Sequence, residues 1–505
     1  MKQLSILSTK FYAFLGTNYF FYASLGFFLI GVLWMLFASL YPMAFDEEFH
    51  LGLIQIYSTS LIPYGIETNS NMAQYGAATA DPSYLFHYLL SWPYRILVTM
   101  QLPIEVVIII LRLISLGFII GSLFIYRLVL EEAGASRRVS NLTLAVFMFI
   151  PTLAMLAAQI NYDSLLLLIV AICCLLTIRM TKHVKQYKQF PAKETWLLAL
   201  FVLIGLPVKN AFLPLAVGFF VWTIALVLFT RYELSQPFSR LLHRFYAGTK
   251  VLSKNAKITL IIFGMLGIFF SAHYVTNFIS YGTPFPKCDD VFSKQACTAY
   301  GPWNRNQQLA QNLDSNFQPK SIPLYITRDW LPGMAQRLTF AVAGKSNSFQ
   351  TKQPFLLVLN GFIILSIIGA LFLGYQLLVN RRISMLLPLT VLLTTLYCGI
   401  LIYQLYGSYS KTGVPVAING RYLLPLLPLA GAVLIQAFSL SFRRVPTYIK
   451  SITAITILLF FSVIGSGWAT YIISAEAHWF WPGLAQSTHQ ILQTLLDTVT
   501  IQLKN

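Results

Sequence analysis

The sequence predicts an all-α, polytopic membrane protein with about eleven transmembrane helices. Its first outer loop is expected to hold helices that lie in the membrane interface. Three observations carry that class. The chain is 57% apolar and only 10% charged over 505 residues, against roughly 25% charged in soluble domains. Its apolar residues fall into blocks of about 20, the length of helix that crosses the hydrocarbon core. Its lysines and arginines gather in alternate loops, the pattern that orients such helices.

The candidate spans are, in order, 20–40, 104–126, 142–159, 161–180, 195–207, 210–230, 258–279, 354–379, 383–403, 420–440 and 451–473. The first is too long for a signal peptide and is followed by acids rather than small residues, so it reads as a retained helix. The fifth is short, and with the sixth it reads equally well as one broken re-entrant pair, which would lower the count.

The net charge of +18 would suit a nucleic-acid binder, but its placement serves topology instead. The bases sit at Lys2 and Lys10, at Arg127, Arg137 and Arg138, over 179–193 and 231–257, at Arg381 and Arg382, and over 443–450. The positive-inside rule sets those segments in the cytoplasm and the intervening loops outside. No GxxxxGK[ST] loop is present for a nucleotide. Cys173, Cys174 and Cys398 fall within spans and read as packing residues. Cys288 and Cys297 share an outer loop, where an oxidising compartment predicts a disulfide.

Residues 1–479 read as one transmembrane unit, with outer loops 41–103 and 280–353 capping its outer face. Residues 480–505 read as a short amphipathic tail, with Leu484, Ile491, Leu492, Leu495, Leu496, Val499 and Leu503 at helical spacing. Loop 41–103 predicts a helix from Asp46 to about Ser60, a polar turn region from Glu67 to Asp81, and an aromatic stretch through His87, Tyr88, Trp92 and Tyr94.

The chemistry-bearing cluster is Asp46-Glu47-Glu48-Phe49-His50, directly after the first span. Only 17 residues of the chain are Asp or Glu, and three stand together here. Acids at a membrane boundary face a cavity or a cation. On a helix Asp46 and His50 share a face and Glu47 lies about 100° round. A desolvated carboxylate there acts as a general base. Asp46, Glu47 and His50 together suit a divalent cation equally well, and a solvated helix N-terminus is the bland alternative. Arg112, inside the second span, predicts an intramembrane acid partner.

Asn161, Asp163, Lys209, Arg421 and Tyr422 are the other candidates. All are predicted at the outer leaflet, where Lys209 and Arg421 suit the phosphate of a lipid carrier. Snorkelling of Lys209 and Arg421 to headgroups, and a turn role for Asp163, are the alternatives. His87 and Tyr88 read as stacking partners for a sugar or headgroup, or as part of an aromatic belt.

The stretches DEEFH (46–50), INYDSL (160–165), LPVKNAFLPL (206–215) and NGRYLLPLLP (419–428) resemble the GT-C superfamily of membrane glycosyltransferases. Protein O-mannosyltransferases and the aminoarabinose transferase of lipid A belong to it. Within it, the chain looks closest to a bacterial family of glycosyltransferase-like multi-pass membrane proteins, over roughly residues 15–475. The resemblance implies a sugar donor on a polyprenyl phosphate, used at the outer face of the cytoplasmic membrane. It implies that Asp46, with Glu47 beside it, activates or orients the acceptor, and that Lys209 and Arg421 neutralise the leaving phosphate. Glu48, His50, His87, Tyr88, Asn161, Asp163 and Tyr422 would line the substrate site. Many members carry a soluble domain after the last span, and here only a tail follows. Acceptor recognition would then fall to loop 280–353, or the acceptor would itself be a lipid or glycan in the membrane. A transporter or flippase of a lipid-linked glycan and a non-catalytic membrane assembly protein are the rival readings.

Overall fold

The computed structural model describes residues 2–43, 46–67, 69–234, 254–339, 355–379, 385–464 and 479–502. The bases over 235–253 and at Arg381 and Arg382, loop positions 340–353, the end of the last predicted span (465–473) and Leu503 lie outside the described residues. Among the described residues every regular element is helical, and strand pairing is limited to one antiparallel bridge between Ser39 and Phe480.

The chain opens with α1 (Lys2–Phe14) and α2 (Asn18–Ala38), then enters the first long loop with α3 (Glu47–Tyr57) and α4 (Leu85–Thr99). Next come α5 (Ile104–Glu132), α6 (Arg137–Met148), α7 (Pro151–Ala157) and α8 (Asp163–Tyr187). They are followed by α9 (Ala192–Gly205), α10 (Leu213–Leu234) and α11 (Lys254–Tyr281). The second long loop holds α12 (Gly301–Gln311) and α13 (Leu331–Thr339). The chain continues through α14 (Phe355–Val379), α15 (Leu386–Thr412), α16 (Leu427–Ser441) and α17 (Thr447–Leu459) to α18 (Leu484–Gln502), the predicted tail helix.

Each of the eleven predicted spans thus carries a helix, but their lengths differ. Among the described residues six helical stretches are long and apolar enough to cross a membrane: Asn18–Ala38, Ile104–Glu132, Asp163–Tyr187, Asn210–Phe229, Leu359–Val379 and Leu386–Thr412. The pair α6 and α7 makes a seventh if counted as one bent span. The bend is 72°, and Pro151 explains it. A residue before proline is pushed out of the helical region, and Ile150 is extended (φ −63°, ψ 122°). Helices α9, α16 and α17 have only 14, 15 and 13 residues. At 1.5 Å per residue each covers about 20 Å, short of the roughly 30 Å core.

Helix α8 is the centre of the bundle, packed along α5 and flanked by α9 and α10. Its most apolar window is 83% buried, whereas that of α14 is 11% buried. Cys173 and Cys174 are buried free thiols of α8, and Cys398 is a half-buried one in α15. At the start of the chain Thr17 caps α2, its Oγ1 accepting from Phe20 N at 3.3 Å. The Asn141 side chain of α6 donates to Leu15 O and Thr17 O at 2.8 and 2.9 Å, which ties that turn to the bundle. The chain just before α18 returns to the end of α2. Leu40 N donates to Trp479 O at 2.8 Å, and Trp481 N to Ala38 O at 3.0 Å. The tail is thereby clipped onto the segment that leads into the acidic run.

Candidate functional site

Asp46 begins α3 in the left-handed conformation (φ 67°, ψ 24°), which aspartate tolerates better than most residues. Its carbonyl accepts the first helical hydrogen bond, from His50 N at 3.0 Å. This turn sends neighbouring carboxylates in opposite directions. Glu47 goes inward and is fully buried, while the Asp46 side chain remains 50% exposed.

Glu47 meets Arg112, the acid partner expected for that arginine. Arg112 Nε and Nη2 donate to the two carboxylate oxygens at 2.8 Å each. Met43 N (2.7 Å) and Ile160 N (3.1 Å) add two more bonds to the carboxylate. The remaining Arg112 donors reach Leu36 O, Ser39 O and Leu40 O. All five guanidinium N–H groups are used, which is what a buried ion pair requires to offset its lost hydration. The sequence reading gave Glu47 a place beside Asp46 in catalysis. The geometry gives it a positioning role, because its carboxylate holds together the end of α2, α5 and the turn before α8.

Asp46 Oδ2 accepts from Arg421 Nη2 at 2.9 Å. Arg421, 6% exposed, also faces Asp163, Nε to Oδ2, at 3.6 Å. Asp163 Oδ1 accepts in turn from Lys209 Nζ at 2.5 Å. The ammonium lies 4.4 Å from the Tyr162 ring centre and 4.6 Å from that of Tyr422, in a cation–π arrangement. Two carboxylates and two cations therefore alternate, with aromatic walls.

Local sequence explains how these groups converge. The Asn161 side chain accepts from Asp163 N at 2.9 Å and its carbonyl from Ser164 Oγ at 2.7 Å, shaping the turn that opens α8. Asn161 thus builds the site rather than facing it with its amide oxygen. Pro207 interrupts the helical run, leaving Lys209 extended, and its carbonyl accepts from Leu85 N at 2.8 Å. Arg421 lies in the turn Gly420–Leu423, where Asn419 Oδ1 accepts from its N at 3.1 Å. Only glycine fits at 420: a Cβ would run into the Met334 carbonyl and the Leu338 amide of α13.

His50 and His87 complete one wall. His50 Nδ1 and His87 Nε2 are 2.9 Å apart, the rings are nearly parallel, and His50 stands edge-on to Tyr162 at 4.6 Å. Burial pushes His87 down to about 3. Burial also holds His50 well below its usual range, with His87, Arg421 and Lys209 adding to the effect. Both imidazoles are neutral near pH 7.

Other expectations go elsewhere. Tyr88 donates its hydroxyl to Leu61 O at 2.7 Å and sits edge-on to Trp92, so it braces the first loop rather than the cluster. Glu48 is exposed, and after burial its charge is what pushes the Tyr75 hydroxyl up. Asp46, Glu47 and His50 do not converge on one point. Each takes a different partner, and among the described residues no group of three His, Cys, Asp or Glu side chains is placed to hold a metal.

The second long loop packs against this region. Cys288 and Cys297 are joined by a disulfide. Three residues on, the Tyr300 ring lies 6.4 Å from Phe49. Burial, with the charges of Asp81 and Asp46, pushes the Tyr300 hydroxyl up to about 12. Sequence reasoning did not assign Tyr162 or Tyr300. Tyr162 was visible between Asn161 and Asp163; for Tyr300 only its closeness to Cys297 pointed inward. A cavity of about 10 Å³ between Asp163, Arg421 and Tyr422 is at the lower limit for one water.

These features define a helical, multi-pass membrane protein with a buried, charge-paired cluster at one end of its bundle. No protein-family model matches the chain, and no curated protein matches it in sequence. The reading of the site therefore rests on its own geometry.

Proposed function

We propose that the protein is a GT-C-like membrane glycosyltransferase with about eleven crossings, the short helices completing the six long ones. It moves a sugar from a polyprenyl-phosphate carrier to a lipid, glycan or protein acceptor at the outer face of a bacterial cytoplasmic membrane. One observation carries the reading. The stretches that resemble the superfamily lie as far apart as Asp46 and Arg421, yet they supply the members of one ion-paired cluster.

In the proposed reaction an acceptor hydroxyl oxygen bonds to the anomeric carbon of the sugar. The bond from that carbon to the phosphate oxygen breaks, and its electron pair leaves with the polyprenyl phosphate. Asp46, the exposed carboxylate, takes the hydroxyl proton, a contribution of about 10²–10⁴ in rate. Lys209 and Arg421 exchange their carboxylate contacts for the departing phosphate and stabilise its charge. Neutral His50 and His87, with Tyr162, wall the site against water.

A rival use of the same groups is proton or cation coupling in a transporter or flippase of a lipid-linked glycan. The helix break at Ile150 and the interruption between α9 and α10 favour it. The deciding measurement is transfer from a radiolabelled polyprenyl-phosphate sugar in membranes, with wild type and Asp46→Asn, each with and without chelator. Transfer by wild type that survives chelator and is lost in Asp46→Asn supports the proposal. Loss of label from the carrier leaflet without any glycosylated product supports the transporter.

A further inference from the structure

A second cavity among the described residues lies away from the charged cluster. It has a volume of about 340 Å³ and runs between α6, α14, α16 and α17, with Tyr12 and Leu15 closing one side. Helix α16 relates the two places. It starts five residues after Tyr422 and ends beside Phe442, a rise of about 22 Å. The cavity thus extends along α16 away from Asp46 and Arg421, to the end of the bundle opposite them.

Its walls are apolar, among them Val146, Leu365, Ala430, Leu434 and Ile457, and its only charged lining residues are Arg138 and Lys450. Both stand at the same end. Arg138 lies 4.4 Å from the Tyr12 ring centre, and Lys450 Nζ donates to Arg443 O at 3.1 Å. No carboxylate lines the space to neutralise them.

We infer that this cavity is a binding site for one anionic glycerophospholipid. An acyl chain fills the apolar shaft and the phosphate lies between Arg138 and Lys450. An apolar space of this size does not hold water stably, and left empty it forfeits the dispersion contacts of its walls. A hydrocarbon chain from the surrounding bilayer supplies them. Basic pockets between membrane helices select anionic headgroups, and the two bases belong to loops that the charge pattern predicts to face the cytoplasm. A second protein does not suit an apolar space of about 340 Å³ with two cations at one end. The site is separate from the proposed donor site, since it shares no residue with it.

The test uses the intact protein in mild detergent, offered equal amounts of phosphatidylglycerol and phosphatidylcholine, with retained lipid read by native mass spectrometry. Each cation favours a net-anionic headgroup over a zwitterionic one about fivefold, so wild type should retain one phosphatidylglycerol with roughly thirtyfold preference. Arg138→Gln with Lys450→Gln should bring the preference near one while a lipid is still retained. Gly431→Leu, whose new side chain would enter the shaft, should lose the lipid itself. Equal retention of both lipids by wild type would overturn the inference. So would a preference untouched by the double substitution, or displacement of phosphatidylglycerol by an equal amount of polyprenyl phosphate.

Discussion

Asp46 and Glu47 are adjacent in sequence and carry the same functional group, yet the protein uses them in opposite ways. Glu47 is buried, with both oxygens bonded to Arg112 and two backbone amides. Asp46 is half exposed and is bonded to Arg421, a cation that is itself shared with Asp163. A saturated buried carboxylate fixes structure, because any exchange of partner strands a charge in a low dielectric. A half-exposed carboxylate on a shared cation can give that cation up. The first is a joint and the second, under the proposed function, is the reactive edge; the left-handed backbone of Asp46 sends the two apart.

Removal of one side of the joint is expected to have the largest effect. Glu47→Leu leaves Arg112 buried and unpaired and should lower stability by about 3–5 kcal/mol. Glu47→Leu with Arg112→Leu together should recover much of that loss. Unfolding midpoints in detergent check this; equal losses in the single and double variants would break the comparison.

At the reactive edge the pattern reverses. Asp46→Asn should reduce transfer by about 10²–10⁴ and change stability by no more than about 1 kcal/mol, since its ion pair is partly exposed. A midpoint shift as large as that of Glu47→Leu would make Asp46 a second joint. Arg421→Ala removes a charge-assisted partner of the proposed phosphate. It should raise the apparent KM for donor about 10–100-fold and leave that for acceptor nearly unchanged, which initial-rate measurements would separate.

The imidazole wall gives a pH signature. His87 is held down to about 3 from 6.5, so between those values the unfolded chain binds a proton that the folded one does not. Stability is then complete above about pH 6.5 and falls as pH drops, by up to about 1.4 kcal/mol per pH unit for that imidazole. His87→Gln should flatten the slope of unfolding midpoint against pH; an unchanged slope would place the acid sensitivity elsewhere. The smallest effect belongs to Tyr88. Tyr88→Phe removes one hydroxyl bond to Leu61 O, about 0.5–1.5 kcal/mol, and should leave transfer at wild-type level. A clear loss of transfer would return Tyr88 to the site.

Much of the class was legible in the chain. A run of about 20 apolar residues has to be helical in a bilayer, because its backbone groups have no other partners there. Rare acids and bases at the ends of such runs are conspicuous, and that is why Asp46, Asp163, Lys209 and Arg421 were found before their contacts were known. Length was legible less well. Apolar blocks such as 420–440 and 451–473 hold helices of only 15 and 13 residues: a 3₁₀ turn at Gly420–Leu423 precedes the one and a π turn at Phe460–Ile464 follows the other, and 465–473 lie outside the described residues.

Sequence by itself determined the chemistry on offer: helical membrane segments, a triplet of acids, and four separated polar stretches at segment ends. Only tertiary structure decided which acid meets which base. Asp46 stands just before α3 with a left-handed backbone, so that turn and the packing of α3 against α2, α5 and the turn before α8 choose which one is buried. His87 and Tyr88 are likewise neighbours, and the packing of α4 on α3 sends one to His50 and the other to Leu61. Residues such as Arg421 and Asp46 meet across 375 positions. Periodicity reports the faces of a single element; contacts between elements depend on how the bundle packs.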